Sequence, residues 1–368
     1  HLIFIVKIKI IMKVCILGDG LTSLSLAKAL VNKGIFTDVF LSKENKKKDK
    51  SRTLGISKSN IEFFNKNIMN IEKLLWDIKK IEIYSENLNN EKIIDFKKGE
   101  QRLFSVIKNH ELISFLIKQL SKNKFFKFKK NLNNYESVIK NYELIINCEL
   151  NGKITKKFFN KKFSKNYNSY AYTSLIEHKK LPKNNVATQN FTKLGPLAFL
   201  PISEKETSVV YSIKGKKNDE IESLIRKFNV KYKIIKIHKI NCFKLNSSNP
   251  RSYYYKNILA FGDLLHKIHP LAGQGFNMSI RDINVLLKII ESKINLGLNL
   301  DSSICSEFQN QNKHKNYIFS NSIDFIHEFF NLENKLNNNI ISKSVKFFSN
   351  NKTLNKYFTK FADEGISI

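Results

Sequence analysis

Residues 258–282 read ILAFGDLLHKIHPLAGQGFNMSIRD. The first four residues are apolar and predict a short buried strand, which ends at Gly262 and Asp263. A turn containing Pro270 follows, and then the small, flexible run 272–275. After it, apolar residues recur at helical spacing: Ile280, Ile283, Leu286, Leu287 and Ile290. The pattern therefore places a carboxylate at a strand tip and a glycine-rich loop at the start of a helix.

This arrangement suits a ligand that carries both hydroxyl groups and an electron-rich oxygen. Glycines allow the backbone to approach a ligand closely, and the first turn of a helix offers unpaired N–H groups and the positive end of a dipole. The carboxylate of Asp263 could accept hydrogen bonds from hydroxyl groups. We therefore expect a cofactor site here, and an ordinary strand-turn-helix is the alternative.

A second motif lies near the start of the chain. Residues 13–17 predict a buried strand, and Gly18, Gly20 and Ser23 follow with G-x-G-x-x-S spacing before a helical pattern. In a βαβ unit this is a version of the dinucleotide fingerprint. Gly18 would make the tight turn, and Gly20 would let the backbone reach a pyrophosphate at the helix start. Because Ser23 replaces the usual third glycine, we expect the helix and the strand to lie slightly farther apart.

The 258–282 segment resembles the second flavin fingerprint of the FAD-dependent aromatic hydroxylases, and within them the ubiquinone-biosynthesis hydroxylase group. The matching residues are Gly262, Asp263, His266, His269, Pro270, Ala272, Gly273, Gln274, Gly275, Asn277 and Asp282. The resemblance implies that Asp263 holds the ribityl chain and that the loop of Pro270, Gly273, Gln274 and Gly275 faces the isoalloxazine ring.

Two further segments carry the resemblance. Residues 51–57 (SRTLGIS) resemble the family segment whose arginine, here Arg52, lies over the pyrophosphate and the flavin edge. A purely structural role for Arg52 is the alternative. Residues 194–202 (LGPLAFLPI) resemble the strand that places an apolar edge beside the flavin for an aromatic, lipid-tailed substrate, and a plain edge strand is the alternative. Asn109 lies near the N-cap of a predicted helix that resembles the one lining access to the active site.

Taken together, the resemblance implies a set of residues that bind FAD. They are Gly18, Gly20, Leu21, Thr22, Ser23, Ser42, Arg52, Asn109, Asp263, Pro270, Gly273, Gln274, Gly275, Phe276 and Asn277.

The chain departs from the family pattern at three places. Ser42 and Lys43 stand where an acidic residue usually binds the adenosine ribose, and a serine hydroxyl binds a ribose more weakly than a carboxylate does. Glu149 and Leu150 replace the Asp-Gly pair that bridges FAD and the nicotinamide donor, so reductant binding is expected to be altered. The pair 264–265 (LL) is a minor departure, because the family has small residues after Gly-Asp.

The predicted fold is α/β: a Rossmann-like FAD-binding domain of the GR2 flavoprotein type, an inserted antiparallel-sheet substrate domain and a C-terminal helical segment. We expect the FAD-binding domain at 12–80, 99–160 and 246–300, substrate-domain strands at 81–98, the antiparallel-sheet substrate domain at 161–245, and C-terminal helices at 301–368. In the last segment the pattern predicts separate helices at 308–316, 322–330 and 340–358.

The net charge of the 368 residues is +31, with 63 Lys+Arg against 32 Asp+Glu. The lysines are spread along the chain and no nucleic-acid module is visible, so we attribute the charge to composition and expect no nucleic-acid partner. Electrostatic attraction to an anionic membrane surface is the alternative. The isolated cysteines fit a reducing cytosol rather than a disulfide framework or a zinc site; they are Cys15, Cys148, Cys242 and Cys305.

No apolar run approaches the roughly 20 residues that span a bilayer. Residues 1–11 are apolar but lack a signal-peptide cleavage site, and we interpret them as an upstream extension of the reading frame before Met12. We therefore expect a cytoplasmic protein. Peripheral association with the inner membrane face is the alternative, with the aromatic C-terminal segment as a surface for a lipid substrate.

By resemblance, NAD(P)H reduces FAD, and O2 then hydroxylates the aromatic ring of a polyprenylated phenol in ubiquinone biosynthesis. The cofactor carries this chemistry, so we assign no catalytic side chain, and His266 with His269 lacks a third metal ligand nearby. Two alternatives stay open. One is a flavoprotein with other chemistry, such as an isoprenoid-lipid reductase, and the other is a non-catalytic subunit of a quinone-synthesis complex.

Overall fold

The computed structural model describes residues 12–42, 49–97, 100–130, 135–268, 273–336 and Asp363. The strands are β1 (Lys13–Leu17), β2 (Phe36–Phe40), β3 (Thr53–Ser57), β4 (Trp76–Ile78), β5 (Lys80–Ser85), β6 (Glu91–Lys97), β7 (Phe104–Lys108), β8 (Phe126–Lys129), β9 (Leu144–Asn147), β10 (Lys162–His178), β11 (Val186–Thr192), β12 (Gly195–Pro201), β13 (Glu206–Lys214), β14 (Ile234–Ile237), β15 (Asn241–Pro250), β16 (Tyr254–Tyr255) and β17 (Ile258–Ala260). The α-helices are α1 (Leu21–Asn32), α2 (Lys58–Asn67), α3 (Asn109–Leu120), α4 (Tyr135–Asn141), α5 (Lys153–Phe158), α6 (Ile221–Phe228), α7 (Gln274–Asn295) and α8 (Ser302–Leu336).

A parallel sheet forms the first layer, with the strand order β16-β17-β9-β1-β2-β8. All its neighbouring strands pair in parallel except β16, which is antiparallel to β17. The inner strands β1, β9 and β17 are almost wholly buried, as the sequence of short apolar runs predicts for a sheet covered on both faces. Because the strands are parallel, the residues that follow β1, β2, β9 and β17 all meet at one edge of the sheet.

A larger antiparallel sheet has the order β14-β10-β13-β12-β11-β5-β6, with β15 also paired to β10. Strand β12 pairs with β11 on one side and with β13 on the other, so the edge-strand alternative for residues 194–202 is wrong. Buried residues alternate strictly along β12, which presents one face to a buried cluster and leaves the other half-buried. Pro196 and Pro201 lie near its two ends, where a missing N–H disturbs the ladder least.

A small antiparallel sheet has the strand order β3-β7-β4. Ile56 of β3 belongs to the hydrophobic cluster of the parallel sheet, and Ile78 of β4 to a cluster with Ala187 of β11. Leu200 of β12 packs against the cluster of Ile78, Val106 and Ala187, which connects the small sheet to the large one. The mixed architecture confirms the predicted α/β class with a large antiparallel sheet. The division of the chain into the predicted domains stays a prediction.

The C-terminal helices differ from the prediction. A single 35-residue helix, α8, covers the two segments that the pattern assigned to separate helices at 308–316 and 322–330. The separation was wrong because the intervening residues 317–321 (YIFSN) contain neither Gly nor Pro, so nothing local ends the helix. The helix predicted at 340–358 lies outside the described residues, as do the segment 1–11 and the residues His269, Pro270 and Ala272. Within the described ranges, no helix combines the length and the apolar character that a bilayer-crossing segment needs.

Candidate cofactor site at the edge of the parallel sheet

The turn between β1 and α1 is shaped by two glycines. Gly18 has a φ of +99°, and a Cβ added there would lie 3.3 Å from Cγ of Glu149. Gly20 is the N-cap of α1, and a Cβ added to it would meet no atom within 4 Å. No side chain in the described part of the chain caps α1. The first turn of α1 therefore presents its N–H groups to an open space, as a pyrophosphate site requires.

The turn after β17 meets the same helix start. Gly262 has a φ of +63°, and an added Cβ would lie 3.1 Å from Cγ2 of Thr22. Asp263 follows in a short 3-10 helix, Gly262–Leu264, with its side chain exposed. The two motifs predicted from distant parts of the sequence are therefore in direct contact through Thr22 and Gly262.

Two carboxylates lie close to one thiol at this edge. Burial, together with the negative charges of Asp263 and Glu149, raises the pKa of Cys148 to about 12. Leu21 and Thr22 are half-buried in the first turn of α1, whereas Ser23 is buried beneath it. The structure thus brings together six of the predicted residues: Gly18, Gly20, Leu21, Thr22, Ser23 and Asp263.

The loop before α7 is held against β3. Gly273 has a φ of +64° and is the N-cap of α7, and a Cβ added to it would lie 3.4 Å from the backbone N of Gly55. A Cβ would be in ordinary contact with the strand backbone there, so the positive φ is what favours glycine. The segment 51–57 and the loop at 273–275, predicted to face one cofactor, are therefore neighbours.

Asn277 joins these two elements with its side-chain amide. Its Oδ1 accepts from the backbone N of Ser57 at 3.0 Å and from Nδ2 of Asn60 at 3.1 Å. Its Nδ2 donates to the carbonyls of Gly55 at 2.9 Å and of Gly273 at 3.4 Å. The amide is buried and fully used by protein groups, so it supports the loop; its predicted contact with the cofactor stays a prediction.

The first turn of α7 also contains a buried polar atom that no protein group satisfies. Oε1 of Gln274 is buried and has no hydrogen-bond partner. A Cβ added to Gly275 would meet nothing within 4 Å, so there is free space beside it. Phe276 points inward, with its ring 6.4 Å from that of Phe64. An unpaired buried acceptor costs free energy unless a ligand or water pairs with it, so this turn is suited to a ligand with hydrogen-bond donors.

Arg52 and Asn109 are neighbours across the β3–β7 pair, because the N–H of Asn109 donates to the carbonyl of Arg52 at 3.0 Å. The side chain of Arg52 is exposed, and Asn109 begins α3. Arg52 lies three residues before Gly55, about 10 Å along the strand. Ser42 is half-buried just after β2, and the residues beyond it, 43–48, lie outside the described part of the chain.

The sequence did not reveal how the Glu149-Leu150 turn is built. The N–H of Glu149 donates to Oδ1 of Asn147 at 3.1 Å, and Nδ2 of Asn147 donates to the hydroxyl of Thr155 at 2.8 Å. That hydroxyl in turn donates to the carbonyl of Glu149. Asn147 thus forms a local side-chain turn. The φ angle of Leu150 is not positive, so the turn does not need the glycine that usually stands there. An Asn at a strand end was the available signal.

A buried pair lies behind the site. Nε2 of His266 lies 2.5 Å from Oδ2 of Asp282, and both side chains are inaccessible to solvent. Oδ1 of Asp282 accepts from Nδ2 of Asn312 at 2.9 Å and of Asn316 at 3.0 Å. This network fastens the turn after β17 to α7 and α8, and its two asparagines were not predicted from the sequence. Among the residues that the structure describes, no group of three or more His, Cys, Asp or Glu could hold a metal ion.

Comparison with known proteins places this edge in context. No family model matches the chain. It is 23% identical over 212 residues to the mitochondrial ubiquinone biosynthesis monooxygenase COQ6 of Caenorhabditis elegans. This match covers 45% of this chain and 47% of the relative. It is 26% identical over 152 residues to the 3-demethoxyubiquinol 3-hydroxylase of Escherichia coli, which covers 39% of each.

The chain is thus similar in sequence to ubiquinone-biosynthesis monooxygenases. The matched segments span about half the length of these relatives or less. Its fold is that of the FAD-dependent monooxygenases. The p-nitrophenol 4-monooxygenase PnpA of Pseudomonas putida has a TM-score of 0.74 at 10% identity, over 97% of this chain and 99% of that one. HpxO of Klebsiella pneumoniae, solved with FAD and uric acid, has a TM-score of 0.73 at 12% identity, over 96% and 97%.

Proposed function

We propose that this protein is an FAD-dependent monooxygenase that hydroxylates the aromatic ring of a polyprenylated phenol in ubiquinone biosynthesis, with NAD(P)H as reductant and O2 as cosubstrate. The observation that carries the proposal is the contact between Thr22 and Gly262, since it joins a dinucleotide turn to a carboxylate-bearing turn at one sheet edge. The sequence similarity to ubiquinone-biosynthesis monooxygenases supports the same function.

The residues at this edge fit FAD. The open, uncapped first turn of α1 at Gly20 would bind the pyrophosphate. The exposed carboxylate of Asp263 would accept hydrogen bonds from the ribityl hydroxyls. The unpaired Oε1 of Gln274 would accept from a ring N–H, and the N-terminus of the 22-residue helix α7 would stabilise negative charge on the ring.

FAD, when bound, would supply the redox chemistry: it takes electrons from the reductant and activates O2 for transfer of one oxygen atom to the phenol. The protein would position the ring, exclude water and hold the cofactor. The exposed guanidinium of Arg52, which prefers bidentate contacts to phosphate, would cover the pyrophosphate from the β3 side.

An apolar wall for the substrate is available between the large and the small antiparallel sheets. Ala198 and Leu200 lie on the half-buried face of β12, and Leu200 contacts the cluster that includes half-buried Trp76 and Phe104. An aromatic ring with a prenyl tail would bury apolar surface against such a wall. We propose that this wall receives the substrate. Binding at a membrane surface or within a quinone-synthesis complex would bring the lipid to it.

Purified full-length protein tests the proposal. We expect about one FAD per chain and NAD(P)H oxidation that is stimulated by a prenylated phenol and consumes O2. Cells that lack the gene should accumulate one under-hydroxylated quinone precursor. A preparation that takes up no FAD, or an unchanged precursor profile in such cells, would contradict the proposal.

A second candidate is a flavoprotein subunit without hydroxylase activity. The turn at Glu149 and Leu150 favours this candidate, because the usual Asp-Gly pair is replaced there. Glu149 packs on Gly18, and Leu150 is 39% exposed. If this candidate is right, the protein binds FAD, but the addition of a phenol does not speed the reduction of that FAD by NAD(P)H. Rapid-mixing absorbance of the flavin distinguishes the two.

A further inference from the structure

Asp363 makes three hydrogen bonds to residues at the start of α2. Its carboxylate Oδ1 accepts from the backbone N of Ser59 at 2.9 Å, 304 residues away in sequence. Its backbone carbonyl accepts from the hydroxyls of Ser57 at 2.9 Å and of Ser59 at 3.0 Å. Both the side chain and the backbone of one residue are therefore fixed to the same helix start.

The carboxylate takes the place of a missing local cap. Ser57 is the N-cap of α2, but its own hydroxyl makes no capping bond. That hydroxyl donates to Asp363 and accepts from Nδ2 of Asn60 at 2.8 Å. An N-cap side chain normally accepts from the second or third N–H of the helix, and Ser59 is the second residue of α2. Asp363 accepts that N–H instead, and its negative charge suits the positive end of the helix dipole.

The same serine is also bonded to the loop of the candidate cofactor site. The N–H of Ser57 donates to Oδ1 of Asn277, whose Nδ2 donates to the carbonyls of Gly55 and Gly273. Ser57 is thus held by Asp363 on one side and by Asn277 on the other. In this series of hydrogen bonds two residues, Ser57 and Asn277, lie between Asp363 and Gly273, the N-cap of α7.

Charge connects Asp363 to α7 by a second route. Arg281 lies on α7 with both Nη atoms buried and without hydrogen-bond partners, and its guanidinium stands 4.6 Å from the ring of Phe319. Burial lowers the pKa of Arg281 to about 10, whereas the negative charges of Asp282 and Asp363 raise it. Asp363 therefore lies within electrostatic reach of a buried cation on the helix that begins at Gln274.

We propose that Asp363 is a positioning residue for the candidate flavin loop: it caps α2 in place of Ser57 and thereby fixes Ser57, Asn277 and the 273–275 turn for the cofactor. The role in FAD binding rests on the proposed function, whereas the capping contact does not. The contact makes a distant part of the chain necessary for the geometry of the site.

The test compares full-length Asp363→Ala, Asp363→Asn and wild-type proteins. Asp301 provides a matched control, because it accepts from the N–H of Ser303 at the start of α8 in the same way but does not contact β3. Hydrogen exchange of the protein without FAD reports on the first turns of α2 and α7, and flavin fluorescence during titration with FAD gives the Kd.

We expect Asp363→Ala to speed exchange in the first turns of both α2 and α7 by about three- to thirtyfold, the range for a lost N-cap, and to weaken FAD binding about threefold or more. Asp363→Asn keeps an acceptor and should lie between. Asp301→Ala should speed exchange at α8 alone and leave the FAD Kd unchanged.

Exchange that stays at the wild-type rate in Asp363→Ala would overturn the capping contact. Faster exchange at α2 with an unchanged first turn of α7 would overturn the positioning role. If wild-type protein takes up no FAD, the proposed function fails on its own, and the exchange at α7 still decides whether Asp363 positions the loop.

Discussion

Asn277 on α7 accepts a hydrogen bond from the backbone of Ser57 on β3, 220 residues earlier in the chain, at 3.0 Å. The same amide donates to Gly55 and Gly273, so one side chain sets the distance between the strand and the loop. Any cofactor that lies between Arg52 and Gln274 depends on this distance.

Replacing Asn277 by Ala should therefore affect both stability and cofactor binding. Loss of a fully hydrogen-bonded buried amide leaves several backbone groups unpaired and is expected to cost about 2–3 kcal/mol of unfolding free energy. Asn257→Ala is the control, since Asn257 also donates to backbone carbonyls, those of Ile139 and Tyr142, away from the loop. Urea denaturation and FAD titration measure the two effects. Equal FAD affinities in both variants would mean that the Asn277 amide does not shape the site.

Gly20→Val should separate binding from folding. Gly20 has a φ of −73°, and a Cβ there meets no neighbour within 4 Å, so we expect an unchanged melting temperature of the protein without FAD. A side chain would occupy the space above the first turn of α1, and FAD affinity should fall by more than about tenfold. Gly18→Ala is the contrasting variant, because a φ of +99° makes it destabilising as well. Normal FAD binding by Gly20→Val would place the pyrophosphate elsewhere.

The buried His266–Asp282 pair should contribute far more to stability than a surface pair. We expect His266→Gln to cost about 3–5 kcal/mol, because it leaves a buried carboxylate without its partner. The comparison is His238→Gln, which breaks a 2.6 Å pair with Glu177 whose side chains are 35% and 42% exposed. That loss should stay below about 1 kcal/mol. Chemical denaturation at neutral pH measures the unfolding free energy of both variants. Similar losses would show that the buried pair contributes no more to stability than the surface pair.

Lys231 should make stability depend on pH in the alkaline range. Burial lowers its pKa in the folded protein from 10.5 to about 8, while its Nζ donates to Oδ1 of Asn184 and to the carbonyl of Val186, both at 3.2 Å. Between these pH values the unfolded chain binds the proton more strongly, so deprotonation favours the folded state as pH rises. Wild-type protein should gain stability relative to Lys231→Met from pH 8 towards 10.5. A constant difference between the two melting temperatures would show that Lys231 titrates normally.

Ser42→Glu should tighten FAD binding. It restores an acidic residue at the end of β2, where a carboxylate can accept a hydrogen bond from a ribose hydroxyl. A charge-assisted bond of this kind is worth about 1.5–3 kcal/mol, or roughly tenfold or more in Kd. Ser42→Gln is the control for size without charge. If both variants bind FAD like wild type, the adenosine ribose does not lie at Ser42.

Local chemistry explains which features the sequence predicted. The glycines Gly18, Gly262 and Gly273 all have positive φ, which few other residues adopt, so turns at these positions could be inferred from the sequence. The buried strand β1 followed from a short apolar run, whereas the strand at 194–202 was expected from the family resemblance and its inner position in the sheet was not predicted.

Contacts between distant side chains could not be predicted in this way. Asn277 and Asp363 act on Ser57 from 220 and 306 residues away, and nothing in their neighbouring sequence indicates the partner. The buried bonds from Asn312 and Asn316 on α8 to Asp282 on α7 are a further example, because nothing near these two asparagines in the sequence indicates their partner.

The most direct test of FAD binding at this sheet edge is hydrogen exchange of full-length protein with and without FAD. We expect one FAD per chain, with simultaneous protection of the turn 18–23, the turn 262–265 and the first turn of α7 at 274–278. Absence of FAD binding at micromolar concentration, or protection that appears elsewhere while these three segments exchange as before, would contradict it.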